Sequence, residues 1–156
     1  AIQKLAAKVA DARDVLYLGR GSSYPVALEG ALKLKEISYL HAEGYPAAEM
    51  KHGPIAMVDA RTPCLVLAPP GPLQGKVAAN IAELRARGAP VAALTASRHA
   101  LTAGAVDEMI ELPATHELLF PLLAVVPRQL FAYEIAARRG HDVDKPRNLA
   151  RSVTVE

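Results

Sequence analysis

Three ionisable residues, Glu29, Lys33 and Glu36, are spaced so that they could act together on one ligand. They lie four and then three residues apart, which places them on one face of a helix. The rest of this segment is mostly apolar, so we expect the helix to be central to the fold. A carboxylate can serve as a general base, and a lysine can form a Schiff base. Spacing alone leaves open the alternative of a solvated face with one Glu-to-Lys pair.

The segments on either side of this helix add further candidates. The apolar run at 14–18 predicts a strand, and the sequence GRGSS at 19–23 then turns the chain into the helix. Glycines allow a ligand to approach the backbone, and a helix N-terminus offers free N–H groups, so this turn is a candidate anion site. The turn matches neither the dinucleotide fingerprint nor the P-loop. After the helix, the loop at 41–54 carries His52, and an isolated loop histidine more often has no function.

Strands and helices alternate along most of the chain. Further strands are predicted at 63–68, 90–95 and 108–112, and further helices at 2–11, 73–87 and 117–139. This alternation favours an α/β fold, with a doubly wound sheet of four or five mainly parallel strands and an irregular C-terminal tail. Pro127 is expected to kink or split the last helix. Ligands of such sheets bind beyond the carboxyl ends of the strands, where the turn at 19–23 lies.

Composition limits the class of protein. The chain has 156 residues, 51% of them hydrophobic, which suits one packed domain. A net charge of +2 without a long basic run argues against nucleic acid, and no apolar run is long enough to span a membrane. The single cysteine, Cys64, is expected to be a buried thiol in a reducing cytosol. The spacing of His and Cys predicts no metal site, and we expect no cofactor.

Two stretches of the sequence carry a family resemblance. VLYLGRGSSYPVALEGALKLKEISYLHAEGYPAAEMKHGPIAMVD and the tail DVDKPRNLARSVTVE resemble the sugar-isomerase (SIS) fold. Within that fold they are similar to the second sugar-isomerase half of the glutamine:fructose-6-phosphate aminotransferases. The resemblance implies a flavodoxin-like SIS domain at 1–141, with the end of a helix at 1–12, and a tail at 142–156 that closes over the sugar site. It also implies a hexose phosphate substrate, a homodimer, and a glutaminase domain and a first SIS half outside these residues.

The resemblance also implies roles for individual residues. Glu36 corresponds to the family's base, and His52 to the ring-opening histidine, which the neighbouring subunit supplies. Arg151 stands where the family has its Schiff-base lysine. Substrate binding is expected at Glu29, Lys33, Gly21, Ser22, Ser23 and Ala150.

Arg151 leaves two functions open. A guanidinium stays protonated at ordinary pH and is a poor nucleophile, so it cannot form the Schiff base, although it can bind a phosphate. The first hypothesis is a cytoplasmic sugar-phosphate isomerase domain that serves glucosamine-6-phosphate synthesis from fructose 6-phosphate. The alternative is a non-catalytic module that binds sugar phosphates. For the chain by itself we expect little or no synthase activity.

Overall fold

The computed structural model describes residues 1–97, 101–102 and 104–149. Within these residues, helices and strands follow one another in the order α1 Ile2–Val9, β1 Asp14–Gly19, α2 Ser23–Ser38, β2 His41–Pro46, β3 Cys64–Ala68, α3 Gln74–Arg85, β4 Val91–Thr95, β5 Glu108–Glu111 and α4 Phe120–Arg138. Two short 3-10 helices, Ala47–His52 and Pro54–Met57, lie between β2 and β3. No α-helix of the described ranges combines the length and hydrophobicity needed to cross a bilayer.

The five strands form one parallel sheet in the order β2-β1-β3-β4-β5. The chain leaves β1 for β2 on one side and then crosses back to place β3 on the other side of β1. The strand order therefore reverses between β1 and β3, and the carboxyl ends of these two strands open a crevice. The predicted doubly wound α/β fold is confirmed.

Helices cover both faces of the sheet, and strand side chains alternate between the two cores. The helices α1, α2 and α4 cover one face, where Tyr17 and Leu65 of the sheet join Phe131 of α4. On the other face, Leu18 of β1 packs in a core with Ile81 of α3 and with the first 3-10 helix. The central helix α2 thus lies over β1 and β2 and packs against α4.

The structure corrects the prediction at two places. The sequence at 41–46, expected to be a loop, is the edge strand β2, which pairs along its whole length with β1. Gly44 is a regular member of this strand. Its missing side chain allows α2 to approach β2 closely, because a Cβ on Gly44 would lie 2.8 Å from the Cα of Leu28. Pro127, expected to kink or split the last helix, lies buried inside α4 and does not divide it.

Cys64 makes the stability of the fold sensitive to alkaline pH. Burial in β3 raises the pKa of this thiol to about 12, whereas an exposed thiol ionises near 9.0. The folded chain thus keeps a proton that the unfolded chain releases. The contribution of this group to stability is complete below pH 9 and is lost as the pH rises from about 9 towards 12. Between pH 9 and 10, the urea midpoint should therefore fall more steeply for the parent chain than for Cys64→Ala. Parallel pH profiles of the two midpoints would contradict this account.

Candidate functional site

The turn between β1 and α2 places the start of α2 at the crevice of the sheet. A Cβ on Gly19 would lie 2.5 Å from the carbonyl carbon of Ser23, so the strand end and the first helical turn are in direct contact. Gly21 has a φ of +56°, a left-handed conformation that favours glycine. Ser22 is exposed, whereas Ser23 is buried and its Oγ has no hydrogen-bond partner among the described residues. Within this turn, the guanidinium of Arg20 donates to Oδ1 of Asn80 of α3 at 3.2 Å.

The predicted ionisable face of α2 is present as one connected ion network. Nζ of Lys33 lies 2.6 Å from Oε2 of Glu36 and 3.8 Å from Oε1 of Glu29. All three side chains are partly exposed. The hydrogen bond to Glu36 raises the pKa of Lys33, and the negative charges of Glu36 and Glu29 add to this effect, which outweighs the opposing loss of hydration. The lysine is therefore an ammonium whose nearest partner is Glu36.

Lys33 and Glu36 line a cleft between α2 and the C-terminal tail. The cleft has a volume of about 750 Å³, and the tail contributes Val143, Asp144, Lys145, Pro146 and Leu149 to its lining. Glu29, which the spacing predicted to act with Lys33 and Glu36 on one ligand, is not part of this lining. Glu29 lies one turn earlier on the helix and reaches the network through Lys33.

Tyr39 fixes the tail against the end of α2. Its hydroxyl oxygen accepts a hydrogen bond from the backbone N–H of Arg147 at 2.9 Å. The guanidinium carbon of Arg147 lies 4.1 Å from the centre of the Tyr39 ring. The centre of the His141 ring lies 4.6 Å from the centre of the Tyr39 ring. These contacts combine hydrogen-bonding, cation–π and aromatic attraction. The described part of the tail, 142–149, therefore folds back along α2.

His52 lies apart from this cleft. It ends the first 3-10 helix, its side chain is 73% exposed, and its Nδ1 lies 2.7 Å from Oε2 of Glu49. Ala47 and Met50 of the same helix pack into the core on the face of the sheet opposite α2. His52 is not among the residues that line the cleft, so within one chain the structure does not bring it to Glu36. Its predicted action on a neighbouring subunit stays a prediction.

Two predicted site residues, Ala150 and Arg151, lie outside the described residues. The described lining of the cleft ends at Leu149. Within the described ranges, no group of three or more His, Cys, Asp or Glu side chains is placed to hold a metal ion.

Sequence reasoning missed Arg128 of α4, whose side chain packs against α2 at Gly30. It is 2% exposed, and its guanidinium nitrogens have no hydrogen-bond partner among the described residues. A signal was available in the sequence. Arg128 follows Ala124 by four residues and precedes Phe131 by three, so it occupies the buried face of the helix. An arginine at such a position is unusual, because charged side chains are seldom fully buried without a partner.

The fold and the sequence of this chain match those of known proteins. Residues 8–139 match the SIS domain family. The glutamine–fructose-6-phosphate aminotransferase (isomerizing) of Sphingobium yanoikuyae is 54% identical over 99% of this chain and 100% of that relative. The enzyme of the same name from Synechocystis is 53% identical over 100% of this chain but only 25% of its own length. The chain thus spans about a quarter of that relative.

A solved structure shows the same architecture. The C-terminal domain of glucosamine-fructose-6-phosphate aminotransferase from Francisella tularensis superimposes with a TM-score of 0.87 and 39% sequence identity. The superposition covers 93% of this chain and 41% of that one. Together with the five-stranded parallel sheet and its crevice, these matches identify the protein's family. The chain belongs to the SIS domain family.

Proposed function

We propose that the chain is the sugar-phosphate isomerase domain of a glutamine:fructose-6-phosphate aminotransferase. Its step would be the isomerisation that turns the fructose 6-phosphate skeleton into that of glucosamine 6-phosphate. The observation that carries the proposal is the Lys33–Glu36 pair, 2.6 Å apart, in a cleft that the tail borders. The names of the relatives support the choice of substrate and reaction.

The cleft offers the groups that the isomerisation needs. A carbonyl moves between C1 and C2 of a sugar when a base takes a proton from one carbon and returns it to the other. We assign this transfer to the carboxylate of Glu36. The ammonium of Lys33, held at Glu36, would stabilise negative charge on a substrate oxygen during the transfer. Lys145 of the tail also lines the cleft and adds a second cation for an anionic substrate.

Binding of the substrate tests this assignment directly. Fructose 6-phosphate and glucosamine 6-phosphate should perturb amide NMR signals around Lys33, Glu36 and residues 143–149 of the purified chain. Lys33→Met should weaken binding about tenfold or more, because a charge-assisted hydrogen bond is worth about 1.5–3 kcal/mol. Lys76→Met is the matched control, since Lys76 is an exposed lysine of α3 outside this cleft. Equal loss in both lysine variants, or no signal change with either sugar, would refute the proposal.

Ring opening by His52 requires a second subunit in this proposal. The His52 side chain is exposed, so its imidazole can contact another chain while its Nδ1 stays at Glu49. Exposed apolar side chains at helical spacing on α4, at Leu122, Val126, Leu130 and Tyr133, support association, because exposed apolar patches often mark interfaces. Because the family resemblance implies that His52 serves the neighbouring subunit, we predict a homodimer in which the segment 44–54 lies near the two-fold axis. Sedimentation of the chain as a monomer at about 50 μM would contradict this prediction.

The alternative is a module that binds sugar phosphates without catalysis. Arg151 favours it, because an arginine at the lysine position can hold an anion but cannot form the imine. Both versions place the chain in the cytoplasm. In the catalytic version, a glutaminase domain and a first SIS half supply ammonia and the main phosphate loop.

A further inference from the structure

Tyr39 ends α2 in a backbone conformation that a tyrosine seldom adopts. Its φ of 57° and ψ of 17° lie in the left-handed region. Many helices end in this conformation, but the residue there is usually glycine or asparagine, because a Cβ is crowded by the neighbouring carbonyl oxygen. Tyr39 therefore carries a backbone strain that glycine would not, and such strain concentrates at functional sites.

The side chain of Tyr39 contacts the tail rather than the interior of the domain. It is not among the residues that form the two hydrophobic cores of the described chain. Its hydroxyl holds the backbone N–H of Arg147, and its ring is in contact with both Arg147 and His141. These two partners lie six positions apart in the sequence. The segment 141–147 is therefore a loop that is closed on one aromatic ring.

The loop 141–147 has a turn of its own between these two contacts. Oδ1 of Asp142 accepts hydrogen bonds from the backbone N–H groups of Asp144 at 3.0 Å and of Lys145 at 3.3 Å. This Asx turn uses only groups of the tail itself. Asp142 thus shapes the loop, whereas Tyr39 attaches it to α2.

The attached loop forms one wall of the cleft. Residues 143–146 line the same cleft as Lys33 and Glu36. Tyr39 follows Glu36 by three residues at the end of α2, so less than one helical turn separates the attachment point from the ionisable face. Because a helix is rigid over this distance, the contact at Tyr39 sets where the wall stands relative to the Lys33–Glu36 pair.

We infer that Tyr39 is a positioning residue, which holds the loop 141–147 against α2 and so forms the tail wall of the cleft. The expected effect on sugar-phosphate affinity rests on the proposed function, since only that function assigns an anionic substrate to this cleft. The attachment of the loop is a property of the free protein, and it can be measured without a ligand.

Tyr39→Gly separates the attachment of the loop from the stability of the fold. Glycine suits the left-handed backbone, so relief of strain should offset the lost contacts and the urea midpoint should change little. In the same variant, the NMR order parameters of residues 143–145 should fall from about 0.85 to below about 0.6, because the loop is no longer held. Tyr39→Asn, which also suits this backbone, gives the same comparison if the glycine variant does not fold.

Tyr39→Phe is the conservative variant, since it keeps the ring and removes only the hydroxyl. The order parameters of residues 143–145 should stay close to those of the parent chain. The Arg147 amide should exchange with solvent about fivefold faster, because it loses a neutral hydrogen bond. The amides of Asp144 and Lys145, which Asp142 holds, should exchange at nearly the parent rate and serve as the internal control.

Two results would overturn the inference. One is a folded Tyr39→Gly chain in which residues 143–145 remain as rigid as in the parent. The other is a large fall of the urea midpoint in both Tyr39→Gly and Tyr39→Asn, which would show that Tyr39 supports the whole fold.

A separate titration with fructose 6-phosphate links the loop to the proposed function. The sugar phosphate should bind Tyr39→Gly about fivefold or more weakly than the parent chain, and Tyr39→Phe should retain most of the affinity. If fructose 6-phosphate binds none of these proteins, the proposed function fails, while the order parameters of the free proteins still decide the role of Tyr39.

Discussion

Replacing Gly19 by alanine should destabilise the chain by about 3 kcal/mol or more. A Cβ at this position would lie 2.5 Å from the carbonyl carbon of Ser23 and 2.7 Å from the Cα of Tyr24. Both atoms belong to the backbone of the first turn of α2, so no side-chain rotation relieves the contact. The strand end and the helix must separate, although α2 packs against β1, β2 and α4. Urea unfolding followed by circular dichroism should show a much lower midpoint, with loss of hexose phosphate binding.

Gly75→Ala is the matched control for this prediction. Gly75 lies in the first turn of α3, and a Cβ there would meet nothing within 4 Å. Alanine has the higher helix propensity, so this substitution should be neutral or stabilising by up to about 1 kcal/mol. If Gly19→Ala unfolded at the same urea concentration as Gly75→Ala, the close contact between β1 and α2 would be disproved.

The local patterns of the sequence were sufficient to predict much of this fold. Buried runs such as the one that contains Cys64 need only their own composition to be recognised as strands. The strand β2 could not be recognised in this way, because its residues alternate poorly and include Gly44 and Pro46. Gly44 leaves room for the backbone of α2, and this role is visible only when α2 is packed against β2. Tertiary contacts therefore decided the structure at 41–46, where local propensity pointed to a loop.

The candidate site, too, could be predicted only in part from the sequence. The spacing of Glu29, Lys33 and Glu36 predicted their common helix face, because i,i+4 and i,i+3 neighbours share a face in any helix. It could not predict that Glu36 would be the closer partner of Lys33, since that depends on side-chain geometry and on charges from other elements. Arg128 is a further case, because it lies 92 positions after Glu36 in the sequence and reaches α2, at Gly30, only through the packing of α4 on α2.

The second large effect concerns covalent chemistry. We expect that borohydride will trap no adduct between this chain and fructose 6-phosphate, and that the chain will make little or no glucosamine 6-phosphate from ammonia. An imine requires a free amine on the protein, and the guanidinium of Arg151 supplies none near neutral pH. The matched variant is Arg151→Lys, which introduces an amine at the position where the family has its lysine. Trapping, with the label on the peptide that contains residue 151, is expected only in this variant.

Lys33 shares a helix face with the proposed base, Glu36, so it would be the first suspect if the parent chain did form an adduct. Its environment argues against this reaction. Glu36 holds the ammonium at 2.6 Å, and the two neighbouring carboxylates raise the pKa of Lys33, so its free amine is scarcer than that of an ordinary lysine. A Schiff-base lysine requires the opposite change, a lowered pKa. Mass spectrometry of the reduced parent chain should therefore find every lysine peptide unmodified, and a sugar-phosphate mass on any of them would show that this arginine-containing chain has another nucleophile.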